Sequence, residues 1–278
     1  MRTRRKKVLK TRLITAAVVL PALIYGVLRA PEEYFTIMMA VVAAVGVLEL
    51  MLMYKAGRFM TAAAVVLGAL CIMAHPRGMM AEALLASILL IGVIRLFVKA
   101  SPDSALRDMA PAMLGLLYVA GLMSFMLVLH RTHHGLVLFV LGIVWASDAM
   151  AYFIGTKFGK HKIYPSMSPK KSWEGAAASV VGGALGSLIL GAIFLDDLLL
   201  FDQLIVSGLA LGAVAVIGDL VESMIKRDAG VKDSGSFIPG HGGLLDKIDG
   251  SLYCAPVLVY ILSAYGVITE GVTIKLPF

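Results

Sequence analysis

Asp148, Asp219, Glu222, Asp246 and Asp249 are acidic residues set in or against strongly apolar sequence. Asp148 lies in GIVWASDAMAYFIG, Asp219 and Glu222 in AVIGDLVESMIKR, and Asp246 and Asp249 in HGGLLDKIDG. An ionisable side chain inside an apolar span is costly and is a functional candidate by default. Asp219 and Glu222 are three residues apart, as are Asp246 and Asp249, so each pair shares one face of a helix. Carboxylate oxygens without a His/Cys cluster suit a hard cation such as Mg²⁺ better than zinc. Two such ions could clamp a transferring phosphoryl centre. Structural roles stay open for two of the five: Glu222 can pair with Lys226 at i+4, and Asp148 can be satisfied by a neighbouring Ser or Tyr. Asp219, beside Gly218 in an apolar run, has no local basic partner.

Two basic segments adjoin these acids. The first, GTKFGKHKIYPSMSPKKSWEG, places Lys170 and Lys171 before Ser172, with Glu174 just beyond. Ser is a good N-cap, so a helix is expected to start there. Its first amides, its dipole and the two lysines then form an anion site suited to phosphate. Positive charge that merely anchors the loop to headgroups is the alternative. The second, SMIKRDAGVKDSGSFIPGHGGLLDKIDG, brings Lys226, Arg227 and Lys232 together with tight turns around His241. His130, Arg131, His133 and His134 form a separate cluster that reads as a solvated turn.

The elements that carry these residues must be membrane helices. The 278 residues are 59% hydrophobic and 15% charged, with mean hydropathy +0.89. A soluble domain holds about 45–50% apolar and about 25% charged residues. Nine apolar runs stand out: 12–28, 34–53, 59–75, 80–98, 110–129, 135–155, 173–195, 204–221 and 251–269. Most have the length a hydrocarbon core requires, and backbone groups in lipid must bond internally, so the runs are expected to be helices. The third is weak enough to be re-entrant. The first follows a basic stretch and reads as an uncleaved span, because YGVLRAPEE makes a poor cleavage site. The fold expected is an all-α integral membrane protein: one polytopic domain, with N-terminal spans over 12–129 and a catalytic part over 135–269.

With the N-terminus inside, twenty Lys and Arg fall in cytoplasmic segments and four outside. That asymmetry sets the N-terminus in the cytoplasm and both long loops, 156–172 and 222–250, on the same side. The net charge of +7 is thereby explained by topology and anionic lipid, with no nucleic-acid partner. Cys71 and Cys254 sit far apart in apolar runs and make no disulfide framework. The residues alone describe a membrane enzyme or transporter that handles a phosphorylated, metal-bound ligand from the cytoplasm.

The stretch 223–249 resembles the signature of the phosphatidate cytidylyltransferase (CDP-diacylglycerol synthase) family. It reads SMIKR at 223–227, DAGV, KD at 232–233, SGSFI, PGHGG at 239–243 and LLDKID at 244–249. The upstream SDAMAYFIGTKFGK and SPKKSWEG also resemble family segments, and the likeness covers about the whole chain. It implies transfer of CMP from CTP to phosphatidate, giving CDP-diacylglycerol and pyrophosphate, with one or two Mg²⁺. On that resemblance Asp219 and Asp246 are expected as metal ligands and catalytic residues, supported by Glu222 and Asp249. Lys226, Arg227, Lys232, Lys170 and Lys171 would hold phosphates, and His241 with Gly242 and Gly243 would shape the CTP pocket. Asp148 would stand behind the metal or orient a lysine, while Ser168, Asp233 and Lys247 complete the substrate-binding set. Lys247 stands where the family usually has Arg, which keeps the charge but loses the planar fork; Gly250 stands where Ser is common. The resemblance also allows a homodimer and, with no organelle-targeting pattern, points to a bacterial inner membrane. A polyprenol kinase or an archaeal-type lipid cytidylyltransferase would share the basic loops. A transporter is disfavoured, because the charge gathers at one face and no repeat is visible.

Overall fold

The computed structural model describes residues 20–99, 101–237 and 242–268. Within them the chain is all-helical, with no strand. In chain order the helices are α1 (Leu20–Arg29), α2 (Glu32–Met53), α3 (Arg58–Ala74, continued by a 3₁₀ turn to Arg77), α4 (Met80–Val98) and α5 (Ala105–Thr132). They are followed by α6 (Gly135–Phe158), α7 (Trp173–Phe194), α8 (Phe201–Asp228) and α9 (Leu245–Ala264). Seven of them, α2 to α8, are long and apolar enough to cross a membrane. The protein is therefore an all-α, multi-pass membrane protein, and the nine helices coincide with the nine apolar runs. The weak third run is a full-length helix. The expected features of the N-terminal basic stretch and the start of the first span lie outside the described residues, while the last helix ends at Ala264, short of the expected 269.

Two boundaries differ from the hydropathy reading for a physical reason. α8 continues two turns beyond its apolar run to Asp228, with Lys226 and Arg227 in its last turn, where cations favour the helix dipole. Gly230, at φ +72°, then turns the chain, and the Val231 amide bonds back to Lys226 O. α9 likewise starts ahead of its apolar run, at Leu245.

The structure divides into two compact units. One comprises Met1–Leu127 with Lys226–Ile248, the other Val128–Ile225 with Asp249–Phe278. In the first unit α2 and α5 are central, with Phe35, Val47, Leu50, Ile72 and Leu116 fully buried. α4 instead exposes Leu89, Leu96 and Phe97, apolar side chains for which lipid is the solvent. Its one arginine, Arg95, is buried. It donates to Asp108 at 2.8 Å and to the carbonyls of Lys99, Ser101 and Asp103, so the loop after α4 is tied to the helix end.

In the second unit small residues set the packing, as expected where lipid removes the hydrophobic drive between helices. α7 and α8 meet along Ser179, Gly183, Gly208 and Gly212, and Ser179 Oγ donates to Gly212 O at 3.0 Å. α6 packs on α7 through Gly142, Gly155, Gly175, Gly182 and Gly186. The histidine cluster is the solvated turn expected only in part: Arg131 and His134 are exposed, but His130 is not. His130 is 1% exposed and stacks on His134 with ring centroids 4.2 Å apart. The turn between α5 and α6 is only two residues, so the end of α5 is drawn into the packed end of the unit.

Candidate functional site

In the second unit the chemistry begins where α8 crosses α9. Gly218 has no side chain to hold the helices apart: a Cβ there would lie 2.8 Å from Asp249 O and 3.0 Å from the Gly250 Cα. Gly250 is equally tight, since its Cβ would meet a Val144 methyl at 2.8 Å. This gives a packing reason for glycine at position 250. The close crossing brings Asp219 and Glu222 of α8 to Asp249 of α9. Carboxylate oxygens of the three lie within 4.8 Å of one another, and Glu222 is buried.

Three carboxylates this close repel when ionised, and a cation relieves the repulsion. Lys171 supplies one positive charge, its Nζ 2.6 Å from Asp219 Oδ2. Ser223 Oγ lies 3.4 Å from Asp219 Oδ1, and the Gly250 amide donates to Asp249 Oδ1 at 2.8 Å. The donor set is all hard oxygen with no thiolate or imidazole, which fits a hard divalent cation. The cluster could hold a metal ion.

Beside it opens a cavity of about 230 Å³ lined by Asp148, Tyr152, Thr156, Lys170, Lys171, Ser172 and Asp219, among others. Ser172 caps α7 as its sequence predicts, accepting from the Gly175 amide at 3.2 Å. The preceding loop is folded back by an isolated bridge between Lys162 and Ser172 and by tight turns at Tyr164 and Ser168. Ser168 contributes its carbonyl, which accepts from the Lys171 amide at 3.2 Å. Glu174 does not reach back to the cap; it accepts from His161 Nδ1 at 2.7 Å. The structure thus gathers Asp148, Lys170, Lys171 and Asp219 around one cavity, with Glu222 and Asp249 in the adjoining carboxylate cluster.

The first unit holds the rest of the expected residues. Lys226 Nζ donates to Asp246 Oδ1 at 2.7 Å. The amides of Gly243 (2.9 Å) and Ser234 (3.1 Å) donate to Asp246 Oδ2. Asp246 stands in the first turn of α9, ahead of its apolar run. Burial pushes its carboxyl up, but the Lys226 bond and charge, with the two amides, hold it below the ordinary carboxylate value. Arg227 closes the end of α8 by donating to Val231 O at 2.9 Å. Lys232, Asp233 and Lys247 are exposed. Gly242 takes φ +91°, and a Cβ there would sit 3.0 Å from Asp246 Oδ2. His241, with its neighbours Pro239 and Gly240, lies outside the described residues.

Sequence reading missed Glu49. This buried carboxylate of α2 accepts from the Leu244 and Leu245 amides, both at 2.9 Å, and from Ser234 Oγ at 3.1 Å. A lone acid in the second apolar run was the signal. It carries the same cost as Asp148 or Asp219 but has no motif around it.

Fold and site together define a polytopic membrane protein with an acidic, metal-capable cluster beside a lysine-lined cavity. Residues 10–265 match the pattern of the Cytidylyltransferase family, and the chain belongs to that family. Among its relatives, the phosphatidate cytidylyltransferase of Haemophilus influenzae is 45% identical over 155 residues, 51% of this chain and 52% of that one. That of Thermotoga maritima is 39% identical over 191 residues, 65% of this chain and 67% of that one. The chloroplastic phosphatidate cytidylyltransferase 5 of Arabidopsis thaliana is 46% identical over 130 residues, 45% of this chain and 31% of that one. The aligned stretch spans about half the length of the Haemophilus relative.

Proposed function

We propose that the protein transfers CMP from CTP to phosphatidate, forming CDP-diacylglycerol and pyrophosphate. The observation that carries this reading is the carboxylate cluster of Asp219, Glu222 and Asp249 beside Lys171, in a membrane protein of the Cytidylyltransferase family. A phosphatidate oxygen attacks the α-phosphorus of CTP. One P–O bond forms, the bond from the α-phosphorus to the bridging oxygen breaks, and pyrophosphate leaves with the electron pair. The phosphate monoester is already an anionic nucleophile, so the step needs no strong general base. It needs two polyanions held in line and the charge on the leaving group offset.

Asp219, Glu222 and Asp249 are assigned as holders of Mg²⁺, one ion or two, and Asp246 as a further acid of the site. Mg²⁺, when bound, supplies positive charge for the phosphates and the leaving pyrophosphate. Lys170 and Lys171 bind phosphate at the cavity, with Asp148 orienting them. Lys226, Arg227 and Lys232 serve the triphosphate, with Asp233, Gly242, Gly243, His241 and Lys247 around it. The lipid enters sideways between helices, so its acyl chains stay in the bilayer. The excess of Lys and Arg in alternate loops supports an N-terminus and an active site facing the cytoplasm of a bacterial inner membrane.

The test is product formation by purified protein in detergent, given labelled CTP, phosphatidate and Mg²⁺. CDP-diacylglycerol that disappears with EDTA and in Asp219→Asn is the expected outcome. Turnover with another lipid phosphate or alcohol but none with phosphatidate would overturn the substrate assignment. Absence of CTP turnover in folded protein would overturn the reaction.

A further inference from the structure

Glu49 is a carboxylate in the apolar helix α2, 5% exposed, and far in sequence from every motif described above. Such a group persists in a span only where the protein compensates its burial. Its hydrogen-bond donors come from one place. Leu244 N and Leu245 N donate at 2.9 Å, and Ser234 Oγ donates at 3.1 Å. The two amides stand at the start of α9, where backbone donors have no carbonyl within the helix to serve. Glu49 therefore caps α9 from another helix, and its charge favours the positive end of the dipole.

The loop is built tightly around this carboxylate. A Cβ on Gly235 would lie 2.6 Å from Glu49 Oε1, and one on Gly243 would lie 2.8 Å from Oε2. Glu49 and Asp246 divide the donors of the same loop. The Ser234 amide serves Asp246 while its hydroxyl serves Glu49. The Gly243 amide serves Asp246, and the next amide, of Leu244, serves Glu49. Removing either anion leaves donors of the shared loop without their acceptor.

We infer that Glu49 is a positioning residue for the CTP site: it sets Ser234, Gly235 and the turn 243–245, and through them Asp246, in the conformation that receives the nucleotide. The inference rests on the cytidylyltransferase reading for the identity of that nucleotide. Glu49 touches no substrate; it acts through Ser234, Leu244 and Leu245. Gln in its place keeps the size but loses the charge and turns one acceptor into a donor facing an amide.

The experiment uses the full chain in detergent, comparing wild type, Glu49→Gln and Ser234→Ala. Three quantities are read: the CTP dependence of the thermal midpoint, KM for CTP against KM for phosphatidate, and amide exchange over 242–245. For Glu49→Gln the expectation is a roughly ten- to hundredfold weaker CTP response, in the range seen when outer-sphere partners are removed. KM for phosphatidate should stay within about twofold, and exchange should accelerate at 242–245 but not in α7. Ser234→Ala should move the same quantities by about threefold and decides the matter where Glu49→Gln does not fold. Native CTP affinity and native exchange in a folded variant would overturn the inference, as would equal losses for both substrates. Wild-type protein that shows no response to CTP would overturn the function instead. In that case faster exchange at 242–245 in Glu49→Gln would still report the cap.

Discussion

Two groups of acids in this protein are put to opposite uses. Glu49 and Asp246, in the first unit, are surrounded by donors: backbone amides, a serine hydroxyl and the Lys226 ammonium. Asp219, Glu222 and Asp249, in the second, face one another within 4.8 Å. The first arrangement orders a loop, because each oxygen fixes a backbone group. The second concentrates negative charge and creates a demand for a cation. Residue type does not distinguish them. What differs is whether the surrounding backbone turns its amides toward the acid, as a glycine-rich loop can, or its helical surface, whose amides are already used.

The largest effect should come from breaking the acidic cluster. Asp249→Asn is expected to lower kcat by about 10³-fold with an unchanged elution volume, the scale of losing charge stabilisation of a transition state. Next comes the crossing that assembles it. Gly218→Val drives a side chain into the Asp249 carbonyl and should cost about 1–3 kcal/mol of stability with most of the activity, read by thermal unfolding and assay.

Lys171→Met sharpens the comparison because it acts in two directions. Removing the ammonium beside Asp219 should raise KM for phosphatidate about tenfold. It should also lower the half-saturating Mg²⁺ concentration severalfold, since the cluster loses its internal cation. The smallest effect belongs to Tyr54, whose hydroxyl donates to Asp228 at 2.7 Å in the first unit. Tyr54→Phe should cost about 1 kcal/mol and leave activity within about twofold. Burial, then the bond to Asp228 and its charge, push the Tyr54 hydroxyl from 10.0 up to about 12. A raised folded value means that the stabilisation is complete below pH 10.0 and is lost as the pH climbs through about 12. Thermal midpoints measured against pH for Tyr54→Phe and wild type should converge at that alkaline end.

Much of this was legible in the sequence because lipid imposes simple rules. Span lengths, the Ser172 cap and the cost of Asp219 in an apolar run follow from backbone bonding and desolvation. The pairing of Asp219 with Glu222 follows from helical spacing. The partnership of Asp249 with them was not legible in spacing. It depends on the Gly218–Gly250 crossing, a tertiary approach that leaves only two glycines in the sequence. Glu49 was hidden for a related reason, since its partners lie almost two hundred residues away and two of them are backbone amides, which have no residue type. The burial of His130 was not legible, because a polar residue beside a short turn gives no sign that the end of its helix packs inward.

The central claim is that the cluster of Asp219, Glu222 and Asp249 is the catalytic metal centre. Its most direct test is a Mg²⁺ titration of CDP-diacylglycerol formation in wild type and in Asp249→Asn, both shown to be folded. The account predicts a saturating wild-type curve and, in the variant, residual activity whose half-saturating Mg²⁺ is at least about tenfold higher. A variant with wild-type rate and wild-type Mg²⁺ dependence would contradict it and move the metal away from these three carboxylates.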